Sequence, residues 1–315
     1  MSSSAQNGAQ PHWNPLGTLE FTRRGCPVCN TDAGTLLHNK KTSGYEMHFC
    51  LCPTCNCLYA ANPVTEDSLQ ALYGSKDFFA AGKPGEDNID YFDFIGGEKF
   101  LRKTARGRIE RIKRFKSGGK LLEVASAAGF FLIEAKEAGF DTRGVEISVP
   151  MANYASARWG VPVTGASIER IDLPAEHFDV IASWGVMTIL RDPVGVVRKF
   201  QRALKPGGVW AFNTYYHDCV WHQLVGARWN ILGVQTSQIY SKRLLLELVE
   251  REGFRLLSRR RDWPHSDLLK IADQLAMNTG WKWLVDAVAK AGLKNCIVRI
   301  PLPDVYEYIW QKIDG

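Results

Sequence analysis

From Lys120 onward, short apolar runs alternate with amphipathic stretches of about 10–15 residues, and this alternation constrains the fold more than any other feature of the chain. KLLEVA reads as a buried strand, FFLIEAKEAG as a helix closed by Gly139, and TRGVEIS as a second strand. PMANYASARWG forms the next helix, with Pro150 in the first turn, where its missing N–H costs nothing, and Gly160 at the end. VPVTGA and HFDVIASWGV supply two more strands, VGVVRKFQRALKPGG a helix stopping at Pro206, and VWAFNTY a fifth strand. Parallel neighbours need a crossover between them, and helices of this length provide it. The expected fold class is α/β, a doubly wound, mostly parallel Rossmann-like sheet with ligands beyond the carboxyl ends of its strands.

The first strand-to-helix turn lies at that end, in LLEVASAAGFF, Leu121 to Phe131. A dinucleotide loop carries glycines at i, i+2 and i+5, because a pyrophosphate presses on the backbone there. Here those positions are Ala125, Ala127 and Phe130, and only Gly129 remains. The loop and the elements after it resemble those of the class I S-adenosylmethionine (SAM)-dependent methyltransferases, whose ligand has no phosphate to cradle. By that resemblance the cofactor would lie against Glu123, Ala125, Ser126, Ala127, Gly129 and Phe130, with Glu146 and Ile147 at the ribose. Ala166 to Glu169, including Ser167 and Ile168, would border the adenine, and Trp184 and Gly185, closing the fourth strand, would also contact the cofactor.

The resemblance also implies seven strands, the last two an antiparallel edge hairpin formed by REGFRLLSRRRDW and DVYEYIWQKI. Between them an insertion, about 265–303, has the apolar spacing of two amphipathic helices. Two departures stand out. Ala125 and Ala127 replace glycines of the usual motif, and Thr188 and Ile189 occupy positions that often hold Glu-His, so no imidazole comes from that loop. Catalytic candidates instead follow the fifth strand: Tyr215, Tyr216, His217 and His222. An imidazole there titrates near neutral pH and suits a general base.

Six of the eight cysteines fall between Cys26 and Cys57. CPVC at Cys26–Cys29 and CPTC at Cys52–Cys55 form two knuckles, and such pairs supply the four sulfurs of a tetrahedral structural zinc site. Four cysteines leave no open coordination position, so the expected ion folds a small module rather than performing chemistry. Cys50 and Cys57 flank the second knuckle as alternative ligands. A ribbon of this kind, an ALYG helix and this domain recur together in a broad bacterial methyltransferase group. The expected layout is a tail at 1–20, the ribbon at 21–62, a connecting helix and linker at 63–98, and the catalytic domain at 99–315.

Net charge is +6, and nine Lys or Arg lie between Lys99 and Lys116. That run is either a solvated helix face or a docking surface for a phosphorylated or carrier-bound substrate, or for RNA. Trp281, Trp283, Trp221 and Trp229 either wall a pocket for an apolar substrate or bury against the domain or a second subunit, which leaves a homodimer open. The N-terminus has no basic-then-apolar signal pattern, and a cytoplasmic location is expected. The favoured activity is SAM-dependent methyl transfer to a small molecule, with an O-methyl acceptor preferred, in secondary-metabolite or glycan biosynthesis. An RNA methyltransferase and a catalytically inactive SAM-binding scaffold are the alternatives.

Overall fold

The computed structural model describes residues 19–42, 44–74, 95–293, 296–299 and 304–313. The expected N-terminal tail, apart from its last two residues, and most of the expected linker lie outside them. In chain order the ribbon strands are β1 (Thr35–Thr42), β2 (Tyr45–Leu51) and β3 (Leu58–Ala60), followed by helices α1 (Glu66–Gly74) and α2 (Glu98–Lys113). The large domain continues with β4 (Gly119–Val124), α3 (Phe130–Glu137), β5 (Phe140–Glu146), α4 (Val149–Trp159), β6 (Val163–Gly165) and β7 (Phe178–Trp184). Next come α5 (Pro193–Ala203), β8 (Leu204–Tyr215), α6 (Val220–Val225), β9 (Gln238–Ile239), α7 (Lys242–Arg251) and β10 (Phe254–Arg261). The chain closes with β11 (His265–Asp267), α8 (Leu268–Thr279), α9 (Trp283–Lys290), β12 (Ile297–Arg299) and β13 (Val305–Lys312).

Seven strands form one sheet in the order β10-β13-β8-β7-β4-β5-β6. β4 pairs in parallel with both β5 and β7, while β13 runs antiparallel between β8 and β10. The expected sheet and edge hairpin are both present. Strand alternation sends neighbouring residues to opposite faces. Leu121, Val180, Ala211 and Ile309 meet Ile109, Ile112, Phe131 and Leu132 on one face. Leu122, Ile181, Trp210 and Phe212 meet Val197, Phe200, Leu245 and Leu248 on the other. The insertion holds its two helices on a two-stranded stem, β11 with β12.

Two boundaries differ from expectation. α5 stops at Ala203, three residues before Pro206: proline drives the residue before it, Lys205, out of the helical region, and Leu204 is already extended at ψ 140°. The ribbon does not close on itself within 21–62. Its sheet has the order β1-β2-β3-β9, so its last strand comes from the segment after β8. No described helix is long and apolar enough to cross a membrane.

Candidate active site and cysteine cluster

The turn after β4 is built on conformations that glycine usually supplies. Ala125 has φ 58° and Ala127 φ 44°, both left-handed, a region that costs an L-residue about 1–2 kcal/mol. Backbone bonds hold the turn in place: Ala125 N and Ser126 N donate to Val145 O, and Gly129 N donates to Ser126 O. Gly129, at φ 76°, caps α3, and an added Cβ there would meet Ala155 Cβ at 2.9 Å and Trp159 Cδ1 at 3.1 Å. The one retained glycine therefore sits where α4 crosses closest.

Glu146 ends β5 in a fully buried position. Its Oε2 accepts from Ala127 N at 2.8 Å and its Oε1 from Ser148 N at 2.9 Å. Burial raises its pKa, and these two amides oppose the rise. Each carboxylate oxygen keeps a second lone pair, the kind of acceptor a pair of hydroxyls needs. Glu123 is buried on the α2 side of the sheet with Oε2 unpartnered, and burial drives its pKa well up despite the nearby Arg108. Ser126 Oγ is also buried and unpartnered.

A cleft opens beside this turn, lined by Val124, Ala125, Val145, Ile147, Ala166 to Glu169, Val186, Ile189 and Leu190. Its open volume is about 60 Å³, because α1 covers it with Glu66, Leu69 and Tyr73. Arg170 ties that cover down through Glu66 at 3.1 Å and Asp67 at 2.6 Å. Glu169 Oε1 accepts from Arg191 N at 2.9 Å and Asp192 N at 2.6 Å, which fixes the loop after β7 against the segment after β6. Lys199 Nζ reaches the carbonyls of Ile168, Glu169 and Ile171.

Ala125, Ile147, Ser167 and Ile168 thus line the cleft, while Ser126, Ala127, Gly129, Phe130 and Glu146 are not among its lining residues. Gly185 donates to Asn213 Oδ1 at 2.7 Å, and the space where its side chain would be is open. Trp184 lies under Arg108, whose guanidinium sits 4.1 Å from its ring centre. The contribution of α1 was missed. Leu69 and Tyr73, four apart and hence on one helix face, carry the only signal for it, and a connecting helix has the same pattern.

The residues after β8 have other partners. His217 Nε2 donates to Asn56 O at 2.8 Å in the ribbon, and His222 Nδ1 donates to His217 O at 2.5 Å. His222 Nε2 then faces His38 Nε2 at 2.9 Å. Burial lowers the pKa of all three rings. Tyr216 packs against Tyr306 and Tyr308, and burial pushes its phenol further up. Tyr215 stands edge-on to Trp229. None of these four expected catalytic residues is among those lining the cleft. Sequence spacing gives their position along the chain, but the turn after β8 rotates them toward the ribbon.

The tryptophans divide between the two readings' settings. Trp229 is buried, donating to Asp304 Oδ2 at 2.8 Å, whereas Trp281 and Trp283 are 56% and 63% exposed on the insertion.

The basic run is solvated in part, at Lys103, Arg106, Lys113 and Arg114, and paired in part. Arg102 and Arg106 clasp the buried Glu134, Arg108 pairs with Asp262 at 2.8 Å, and Arg111 with Glu307 at 2.5 Å. Asp262 and Glu307 are both 2% exposed, so α2 turns Arg108 and Arg111 inward onto buried acids.

Cys26, Cys29, Cys52 and Cys55 converge, with all four Sγ atoms within 4.8 Å of one another and two pairs at 3.5 Å. A tetrahedral zinc thiolate, with bonds of about 2.3 Å, spaces its sulfurs by about 3.8 Å, and the cluster is compatible with that. The knuckles share one construction. Asn30 and Asn56 each follow the second cysteine at φ 59°, and each donates its N–H back to the first cysteine's carbonyl. Cys50 and Cys57 are buried outside the cluster.

This geometry agrees with the similarities to known proteins. A chain from the complex of the Trm112 methyltransferase activator with a methyltransferase in Haloferax volcanii superposes with TM-score 0.50 at 12% identity, covering 70% of this chain and 93% of that one. YcgJ of Bacillus subtilis gives 0.50 at 15% identity, covering 68% and 100%. Both likenesses concern the fold. In sequence, the uncharacterized methyltransferase YdaC of Bacillus subtilis is 32% identical over 96 residues, 29% of this chain and 53% of its own length. Phosphoethanolamine N-methyltransferase 3 of Arabidopsis thaliana is 25% identical over 195 residues, 55% of this chain. The chain spans about half of the first relative's length and 39% of the second's. The methyltransferase-domain family matches residues 98–259, about half of the chain, and to that family this chain belongs.

Proposed function

We propose that the protein transfers the methyl group of SAM to a small-molecule acceptor. The observation that carries this reading is the cleft at the carboxyl ends of β4, β5 and β7, apolar along Val124, Ala125, Ile147 and Ile168, with the Glu146 carboxylate bound to the adjoining turn at Ala127 N. Apolar walls suit a flat base, and a buried carboxylate with free lone pairs suits ribose hydroxyls. When bound, SAM supplies an activated methyl group on a sulfonium, so the chain's part is alignment and exclusion of water. α1 serves the second task by covering the cleft. Glu169 and Lys199 serve the first by fixing both loops that flank it.

The acceptor reading follows from what the side chains leave available. The expected O-methyl acceptor needs to lose a proton, and neither His217, whose Nε2 donates to Asn56 O, nor His222, whose two ring nitrogens face His217 O and His38, lines the cleft. Phenols and enols, which ionise readily, fit better than alcohols. The RNA alternative is weakened because four of the run's nine basic residues pair with Glu134, Asp262 and Glu307. We assign the cysteine cluster to a structural zinc that holds the two knuckles together, with Cys26, Cys29, Cys52 and Cys55 as ligands.

Calorimetric titration with SAM and S-adenosylhomocysteine tests the reading. Micromolar binding is expected, and Ala166→Trp, which fills the cleft and keeps the Glu146 side chain, should abolish it. A folded protein that binds neither compound, or that binds both equally well with the cleft filled, refutes the assignment.

A further inference from the structure

We propose that Arg24 is a positioning residue of the cofactor cleft, joining the cysteine cluster to the loop after β7 so that each site holds the other in place. The inference rests on the SAM reading of the cleft given above. Arg24 stands two residues before Cys26, and its backbone is pinned in the ribbon by Arg24 N donating to Ala61 O at 3.0 Å. Its guanidinium leaves the ribbon. Nη1 donates to Arg191 O at 3.0 Å, and Nη2 to Ser237 O at 2.9 Å and Ser237 Oγ at 2.6 Å. All these partners are oxygens of neutral groups, so the contact fixes geometry without neutralising the charge.

The path from there to the cleft is short. Arg191, whose carbonyl Arg24 holds, gives its own N–H to Glu169, and Glu169 lines the cleft. Ser237, the other anchor, donates its N–H to Thr188 O at 2.8 Å and accepts from Ala60 N at 2.9 Å in the ribbon. Gln238 Nε2 and the Tyr240 hydroxyl both donate to Met187 O, at 2.7 and 3.1 Å. The stretch Met187 to Arg191 is therefore held by its carbonyls at both ends, and Ile189 and Leu190 within it line the cleft. A second tie runs from the other knuckle, where Asn56 O accepts from His217. Both halves of the cysteine cluster are hydrogen-bonded to segments that follow the central strands.

Groups so connected share a coupling free energy, and coupling acts equally in both directions. Ligand in the cleft, by fixing Met187 to Arg191, should then stabilise the ribbon and slow the loss of its metal. Calorimetry with S-adenosylhomocysteine, together with transfer of zinc from the full-length holoprotein to a chromophoric chelator, measures both directions. In the unmodified protein, saturating S-adenosylhomocysteine should slow zinc transfer about fivefold or more, within the usual range of coupling. In Arg24→Gln that protection should fall below about twofold and S-adenosylhomocysteine should bind about tenfold more weakly, with zinc content unchanged. A residue that only stabilised the ribbon would speed zinc loss equally with and without the ligand. Ser237→Ala, which deletes the Oγ contact alone, should give an intermediate loss and serves if Arg24→Gln does not fold. Equal protection in variant and unmodified protein overturns the proposal, as does normal ligand binding without protection, or a chain that purifies without zinc. Failure of the unmodified protein to bind S-adenosylhomocysteine overturns the cofactor reading first and this inference with it.

Discussion

Gly129→Ala tests why a loop that dispenses with two glycines keeps one. Gly129 has φ 76°, and its missing Cβ would lie 2.9 Å from Ala155 Cβ and 3.1 Å from Trp159 Cδ1. Left-handed strain costs an alanine about 1–2 kcal/mol, offset by about 0.5–1 kcal/mol from the lower entropy of the unfolded chain. Overpacking adds about 1–3 kcal/mol, because Ala155 is fully buried and Trp159 is anchored by its indole N–H to Ala128 O. The expected loss is then about 2–3 kcal/mol. Gly160→Ala is the control. Its φ is 59°, but only Lys136 Nζ, at 3.8 Å, comes near its added Cβ, so strain acts alone and the loss should be about 0.5–1 kcal/mol. Urea denaturation of both variants, with Ala155→Gly added to Gly129→Ala, separates the contributions. The second substitution should recover part of the packing loss. If Gly129→Ala costs no more than Gly160→Ala, the close approach of Ala155 and Trp159 is not what retains the glycine.

Arg108→Met should be costly, about 3–5 kcal/mol by urea denaturation, because it strands the buried Asp262 carboxylate with only Asn213 as a hydrogen-bond partner. A loss under about 1 kcal/mol would mean that solvent reaches Asp262. Glu123→Gln should do the opposite at neutral pH. Burial raises the folded pKa of Glu123, so its contribution is fully present below the unfolded value near 4.5 and is lost as pH rises toward the folded value. The variant's advantage should therefore be absent at pH 4 and grow toward pH 7, and stability curves that stay parallel would refute the buried, proton-holding reading.

How legible each part was follows from the range of the interactions behind it. The strand–helix alternation was readable because it rests on local periodicity, and the sheet appears with the expected edge hairpin. The cysteine cluster was readable because two Cys-Pro-x-Cys pairs carry their own turn geometry, down to the left-handed Asn30 and Asn56. Ala125 and Ala127 raised a conflict with φ that the structure answers by holding both left-handed. The end of α5 was placed three residues too late because Pro206 was taken as the stop rather than as acting on the residues before it.

Other features had no local signature. The charge of α2 looked like a surface property, and only the sheet beneath it supplies Asp262 and Glu307 more than 140 residues away. His217 and His222 sit where a catalytic base was expected in sequence, yet Nε2 of the first is held by a ribbon carbonyl and Nε2 of the second faces a ribbon histidine. β9, two residues long, joins the ribbon sheet from the far side of the domain. The sequence by itself determined the layered sheet, the metal-type cysteine set and the turn where a cofactor would lie, since each depends on residues within one or two elements. Tertiary structure alone decided which charges are buried, which histidines are committed and how the ribbon grips the cleft, because those depend on side chains that meet only after the chain has folded back on itself.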